Sequence, residues 1–345
     1  MTAHQLERCL SGLFPNSKAL PFGSSVNGFG GAGCDLDIVF VYDDAEVSTE
    51  SRLVFQSKGC GGGGIRSQTQ RQMELLGDLV QVFLPGCSMV KRILQARVPI
   101  VKYTQEITGV DCDLSLTNMC AVYMSELLYL YGELDHRVRP LVFAVKQWAQ
   151  ACGLTSNVPG RWITNFSLAL LVLFYFQRVK ILPSLDALIL AARPEDVKFV
   201  DDINCTFLRD VSKLCRSADD STGSKSIAEL LCGFFDFYTK FDFATAGVSI
   251  CTGSSIIKPD YSPIYIVNPL ERSLNVSKNV SPEEVERLRV EVRNALWCLE
   301  GGGNLPQLLL KGGTTAPPIQ HHHHYQRAMK HSRMVTVKDL FTEQS

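Results

Sequence analysis

Hydrophobic and polar positions change their period once along the chain. Residues 3–13 place apolar side chains at helical spacing ahead of Pro15 and predict a short amphipathic helix. The stretch DLDIVFVY, 35–42, is rich in Ile, Val, Phe and Tyr and predicts a strand. Met73, Leu76 and Val80 fall in helical register across 67–84. RVPIVKY, 97–103, leads through a turn at Gly109 to VDCDLSL, 110–116. Both read as strands, with Pro99 suited to an edge position or a strand start. Beyond residue 117 the period is helical, and helices are predicted over 118–132, 137–152, 163–177, 184–192, 225–238 and 281–299. The last opens on Ser281-Pro282-Glu283-Glu284, an N-cap, a first-position proline and an acidic first turn.

Three stretches lack a period. GCGGGG, 59–64, reads as a flexible loop, and no Gly-Lys-Ser/Thr follows to make it a P-loop. Residues 261–280 read as a structured loop. From Gly301 the composition shifts to Gly, Pro, Gln and His, so a disordered tail is expected over 301–345, with HHHH as low-complexity filler. The most apolar run, FSLALLVLFYF at 166–176, is too short to span a bilayer and predicts a buried core helix, with no membrane partner. The expected fold is therefore α+β. A small α/β unit, 1–117, precedes a mostly helical unit, 118–300, with a cleft between them. The helix at 3–13 is left free to pack on the second unit.

Composition narrows the chemistry. The 345 residues are 46% hydrophobic with a net charge of −1, so nucleic-acid contact requires a local basic patch. Twelve scattered cysteines form no CxxC pair, and no apolar leader opens the chain; free thiols in a reducing compartment are expected. Five of the seven histidines lie in the last 25 residues. Only His4 and His136 remain to serve a Ser-His-Asp triad or a zinc hydrolase. Any catalysis must run on carboxylates.

Asp35 and Asp37 are two apart on a predicted strand and project from one face. Adjacent carboxylates repel unless a cation lies between them, and Mg²⁺ or Mn²⁺ suits such oxygen ligands. Ahead of them, Phe22-Gly23-Ser24-Ser25 with Gly28, Gly30, Gly31 and Gly33 makes a loop whose backbone and hydroxyls suit an anion. Together they describe a site for a metal–triphosphate. Asp113 and Asp111, at the start of a later strand, both qualify as a third carboxylate.

Gly23-Ser24, a ten-residue spacer, Asp35-Leu36-Asp37-Ile38 and a later Asp resemble the signature of the DNA polymerase β-like nucleotidyltransferases. ARVPIVKY before CDLSLTN, then SELLYLYGELDHRVRPLVFAVKQWAQACGL, ITNFSLALLVLFYFQ and PIYIVNPLERSLNVSKNVS, narrow the resemblance. It is to the noncanonical poly(A) polymerases and terminal uridylyltransferases, the mitochondrial type above all, over about residues 5–300.

The resemblance implies a polymerase β-like palm of mixed sheet and helices over 1–117, a helical central domain over 118–300, and a nucleotide recognition loop at 261–280. It selects Asp113 over Asp111, because the family's third Asp follows a cysteine. It implies two divalent ions on Asp35, Asp37 and Asp113, ATP as substrate and an RNA 3′ end as acceptor. Gly23, Ser24 and Ser25 are implied at the phosphates with Lys146, where the family's frequent second lysine is Gln150. Asn165 and Phe166 stand at the base, Phe166 stacking on it. Asn118 and Ser125 are implied on the sugar side. Lys278 covers the other face of the base, with Asn275 and Glu271 at its edge. Leu274 stands where uridylyltransferases carry a histidine, which favours ATP over UTP. Uridylyl transfer on the same scaffold, or a silent RNA-binding or dimer-scaffolding protein, are the alternatives. Mitochondrial-type members carry a transit peptide and an N-terminal dimerisation module. This chain is expected to lack both or to be a fragment, so a matrix location and a homodimer rest on the resemblance alone, with cytoplasm or nucleus otherwise.

Overall fold

The structure, a computed structural model, describes residues 1–42, 68–116, 118–156, 160–210 and 225–309. The first unit is built on five strands: β1 (Lys18–Phe22), β2 (Leu36–Val41), β3 (Cys87–Ile93), β4 (Ile100–Gln105) and β5 (Val110–Leu116). Their order is β1-β2-β5-β4-β3, with β2 and β5 parallel and every other pair antiparallel. The sequence pattern revealed β2, β4 and β5 but neither edge strand. β1 is short and carries Pro21, which an edge tolerates, and β3, CSMVKRI, lacks a regular apolar–polar alternation.

Two helices, α1 (Thr2–Leu10) and α2 (Gln68–Phe83), cover one face of the sheet. Leu6, Leu10, Met73, Leu76 and Val80 pack there on Ile38, Phe40, Val101 and Leu114. The N-terminal helix thus packs on the sheet, not on the helical unit, because its apolar stripe meets the inward parity of β2. The same parity sends Asp35 and Asp37 to the opposite face.

The second unit contains α3 (Met119–Leu134), α4 (Val138–Ala151), α5 (Asn165–Arg178), α6 (Leu185–Leu190), α7 (Ile227–Lys240), α8 (Pro282–Glu300) and α9 (Leu305–Leu309). Two small hairpins join them, β6 (Phe199–Val200) with β7 (Ile203–Asn204) and β8 (Ala246–Ser249) with β9 (Ser254–Ile257). Helix α5 is buried from Ser167 to Gln177, as its apolar run requires. Side-chain caps start four helices: Thr164 on α5, Ser184 on α6, Ser226 with Glu229 on α7 and, as the sequence indicated, Ser281 on α8. Among the described residues no helix is long and apolar enough to cross a membrane.

The expected disordered tail is partly wrong. Residues 305–309 form α9, whose Leu305, Leu308 and Leu309 pack on the helical core. Residues 310–345, like the glycine loop at 59–64, lie outside the described residues. Phe29, from the loop between β1 and β2, is buried in the helical core rather than under the sheet. That loop therefore reaches between the units, and the sheet's carboxylates stand at its far end.

Candidate active site

The site is built on one row across the sheet. Pairing registers put Phe22 beside Asp37, Asp37 beside Asp113, and Asp113 beside Lys102. Parallel pairing of β2 with β5 is what brings together two carboxylates 76 positions apart (113 − 37). Asp111 sits opposite Thr104 instead, and its carboxylate accepts from the Thr104 hydroxyl at 2.6 Å. Asp113 is thus the better-placed third acid.

Burial, then the charges of Asp113 and Asp35, raise Asp37 from 3.8 to about 6, while Lys102 pulls the other way. Asp35 is raised by burial, Asp113 and Asp111, with Lys102 again opposing. This is the signature of carboxylates short of a cation. Asp113 has one: the Lys102 ammonium donates to Oδ1 at 2.6 Å and also to Oδ2. Among the described residues no three His, Cys, Asp or Glu side chains stand close enough to hold a metal as they are. The three expected carboxylates stand near enough to act on one another's charge. The Asp113 charge bears on both Asp35 and Asp37, while its own carboxylate is turned to Lys102. Their chemistry still fits a divalent cation, since oxygen donors mutually raise their own proton affinity there. Lys102 was missed from the sequence; its signal was a charged residue between buried Val101 and Tyr103 on a central strand.

The loop expected to hold phosphates begins as a 3₁₀ turn, Gly23–Ser25, directly after β1. Gly23 has φ +73, and a Cβ there would stand 2.8 Å from the Asp37 carboxyl carbon. Its N–H donates to Ser125 Oγ at 2.7 Å, and Ser125 donates on to the Ala121 carbonyl at 2.8 Å. The Gly23 amide is therefore committed to α3, and the buried Ser125 hydroxyl braces the loop instead of facing a sugar. Ser25 donates to the Phe22 carbonyl at 3.1 Å. Ser24 is half-buried, and its hydroxyl has no partner among the described residues. Of the expected phosphate donors it is the free one. Asn118 precedes α3 at its N-cap position, half-buried and without a capping side-chain bond.

Lys146 reaches back from α4 to the same loop, donating to the Phe29 carbonyl at 2.7 Å. Burial lowers its pKa, as expected of an ammonium short of a counter-ion. Gln150, one turn on, is exposed.

The recognition loop lies against the start of α5. Ser167 and Ser277 hydroxyls meet at 2.8 Å, both buried, and Ser167 also meets Thr164 at 2.9 Å. This pins the loop beside Asn165, which is exposed, and Phe166, which is half-buried against the helical core. Lys278 is exposed. Two expected base-edge contacts are otherwise engaged. Asn275 Oδ1 accepts from the Ile266 and Ser277 amides, and its Nδ2 donates to Ser262 Oγ and the Ile264 carbonyl. All its hydrogen-bonding capacity goes into holding the loop. Glu271 is ion-paired with Arg97, from the connection between β3 and β4, and so ties the loop to the sheet. Leu274 is half-buried, its backbone closing the turn to Glu271 and Asn268.

A mixed five-stranded sheet with helices on one face, carboxylates on the other and a Gly-Ser turn against them defines a polymerase β-like nucleotidyltransferase. The family model described as "Poly(A) RNA polymerase, mitochondrial-like, central palm domain" matches residues 1–133, and the one described as "Cid1 family poly A polymerase" matches 226–273. The chain belongs to the noncanonical poly(A) polymerases and terminal nucleotidyltransferases of that superfamily. It is 52% identical to the mitochondrial poly(A) RNA polymerase of Drosophila melanogaster over 87% of this chain and 50% of that protein. To the Homo sapiens protein of the same name it is 41% identical, over 87% and 52%. A crystal structure of mtPAP in complex with ATPγS superposes with a TM-score of 0.77 at 38% identity, covering 89% of this chain and 64% of that one. The Cid1 poly(U) polymerase crystal structure gives 0.67 at 25% identity, covering 86% of both. The chain spans about half the length of the curated relatives it matches.

Proposed function

We propose that this protein adds AMP from ATP to RNA 3′-hydroxyls without a template, releasing pyrophosphate, with 1–117 as catalytic palm and 118–300 as nucleotide-holding domain. The observation that carries the reading is Asp37 paired in register with Asp113 while the Gly23 turn packs on the Asp37 carboxyl. Mitochondria are the proposed location, from the names of the relatives.

Asp35 and Asp37 would hold the divalent ions, Mg²⁺ or Mn²⁺, with Asp113 as third ligand. Such ions supply charge neutralisation of the triphosphate and acidify the attacking hydroxyl. The chain's own groups do the positioning. The Ser24 hydroxyl and the Lys146 ammonium offer donors to the phosphates. Phe166 offers a ring at the mouth of α5 for the base, and Lys278 projects from the loop that Ser277 pins beside it. Leu274 presents no imidazole to a pyrimidine edge, which leaves the purine as the better occupant.

The test is extension of an RNA primer with each of the four nucleotides, in Mg²⁺ and in Mn²⁺. ATP-dependent extension that Asp37→Ala abolishes is the expected result. No extension with ATP sinks the reading, and RNA binding without turnover would identify a silent binding protein. A strong preference for UTP would make the chain a uridylyltransferase.

A further inference from the structure

The row of register neighbours does not stop at Lys102. Lys102 stands opposite Lys91 on β3, so the row reads Phe22, Asp37, Asp113, Lys102, Lys91 across all five strands. Lys91 is on the face away from α2, because its neighbour Arg92 turns the other way to bond Asp78 at 2.6 Å beneath the sheet. On the open face Lys91 is exposed, as are Met89 and Ile93 beside it. Lys102 has Asp113, whereas Lys91 has no partner among the described residues. Like charges directly opposite across an antiparallel pair destabilise it, unless an anion lies over both.

The carboxylates thus have an anion-binding flank on each side. The Gly23–Ser25 turn lies on the β1 side, with Lys146 reaching the same loop. The two lysines lie on the β3 side. A transfer reaction has two anionic substrates, donor and acceptor, and they must approach the metal-binding carboxylates from different directions.

We propose that Lys91, with Lys102, holds the phosphodiester backbone of the acceptor RNA just upstream of its 3′ terminus, with the terminal hydroxyl at Asp113. Strand spacing puts Lys91 about 10 Å from Asp113, beyond the terminal nucleotide. The assignment rests on the RNA-acceptor reading above. The recognised group is the backbone, so the contact is indifferent to base sequence.

Two measurements test it on wild type, Lys91→Ala and Lys91→Arg. The first is binding of a labelled single-stranded oligoadenylate without ATP, by fluorescence anisotropy across a salt series. Lys91→Ala is expected to bind roughly tenfold more weakly, with the log–log salt slope shallower by about 0.7, and Lys91→Arg to restore both. The second is primer extension. Lys91→Ala is expected to raise KM for the long acceptor with kcat and KM for ATP unchanged. A dinucleotide acceptor, too short to reach β3, should be used equally by all three proteins. Equal oligoadenylate affinity in wild type and Lys91→Ala overturns the proposal, as does an equal defect with the dinucleotide or no RNA binding by wild type. If Lys91 governs RNA binding but wild type extends nothing, the phosphate track stands and the adenylyl-transfer reading falls.

Discussion

Gly23 and Asp37 occupy each other's space: the glycine has no side chain because the carboxyl group of the aspartate fills the place where one would be. A Cβ would stand 2.8 Å from the Asp37 carboxyl carbon, and the backbone at φ +73 is one that other residues adopt only under strain. The Gly23–Ser25 turn and the Asp37 carboxylate are thereby packed as one object. Gly23→Ala is expected to push Asp37 aside and to cost roughly 1–3 kcal/mol of stability. Extension activity should fall about a hundredfold or more, since displacing reacting groups by an ångström costs that much. Urea denaturation and primer extension check the two separately.

Asp37 makes stability depend on pH in a direction opposite to most surface carboxylates. Its folded pKa of about 6 lies above the ordinary 3.8, so the folded state binds more protons between those values. Its contribution to stability is complete below about pH 4 and is lost as pH rises through 6. In chelator, Asp37→Asn is therefore expected to be more stable than wild type at pH 8, by on the order of 2 kcal/mol, and equal to it near pH 4. Mg²⁺ should raise the Tm of wild type at pH 8 and leave that of Asp37→Asn nearly unchanged. A thermal-melt series over pH, with and without Mg²⁺, reads all of this.

Asn275 spends both ends of its amide on the recognition loop. Asn275→Ala strands two amide donors and is expected to destabilise the protein by about 2–3 kcal/mol. A residue touching only the base would change KM for ATP and leave the urea midpoint in place. A lowered midpoint together with a raised KM is the expected pair of results.

The Arg97–Glu271 ion pair joins the sheet to the recognition loop across 174 positions of sequence (271 − 97). It is partly exposed, so its direct contribution to stability is small, about 0–1 kcal/mol. Its effect should appear in the nucleotide KM. Arg97→Glu is expected to raise KM for ATP several-fold, and the charge-swapped double variant with Glu271→Arg to recover most of the loss. The kinetic double-mutant cycle measures that recovery.

Several features were legible one residue at a time. The β-forming run after Asp35, the apolar helix at 166–176 and the Ser281 cap all act locally, and each element formed where its pattern lay. The edge strands β1 and β3 were not legible. An edge strand takes its pairing from a neighbour distant in sequence, and charged or proline residues cost it little. The short helix at 305–309 escaped for a similar reason, since its three leucines are held by packing on the helical core.

Within the site the division is sharper. Sequence alone singled out the carboxylates and the glycine-serine turn, because spacing and residue chemistry are local properties; Lys146 entered through the resemblance. Only the tertiary structure decided how each group is used. Parallel pairing of β2 with β5 set Asp113, which the resemblance had already singled out over Asp111, beside Asp37, and pairing of β4 with β5 gave it to Lys102. Packing of α3 on the turn took the Gly23 amide and Ser125 away from any ligand, and folding of the recognition loop on itself consumed Asn275. Hydrogen-bond capacity is finite, and a sequence does not say which neighbour claims it first.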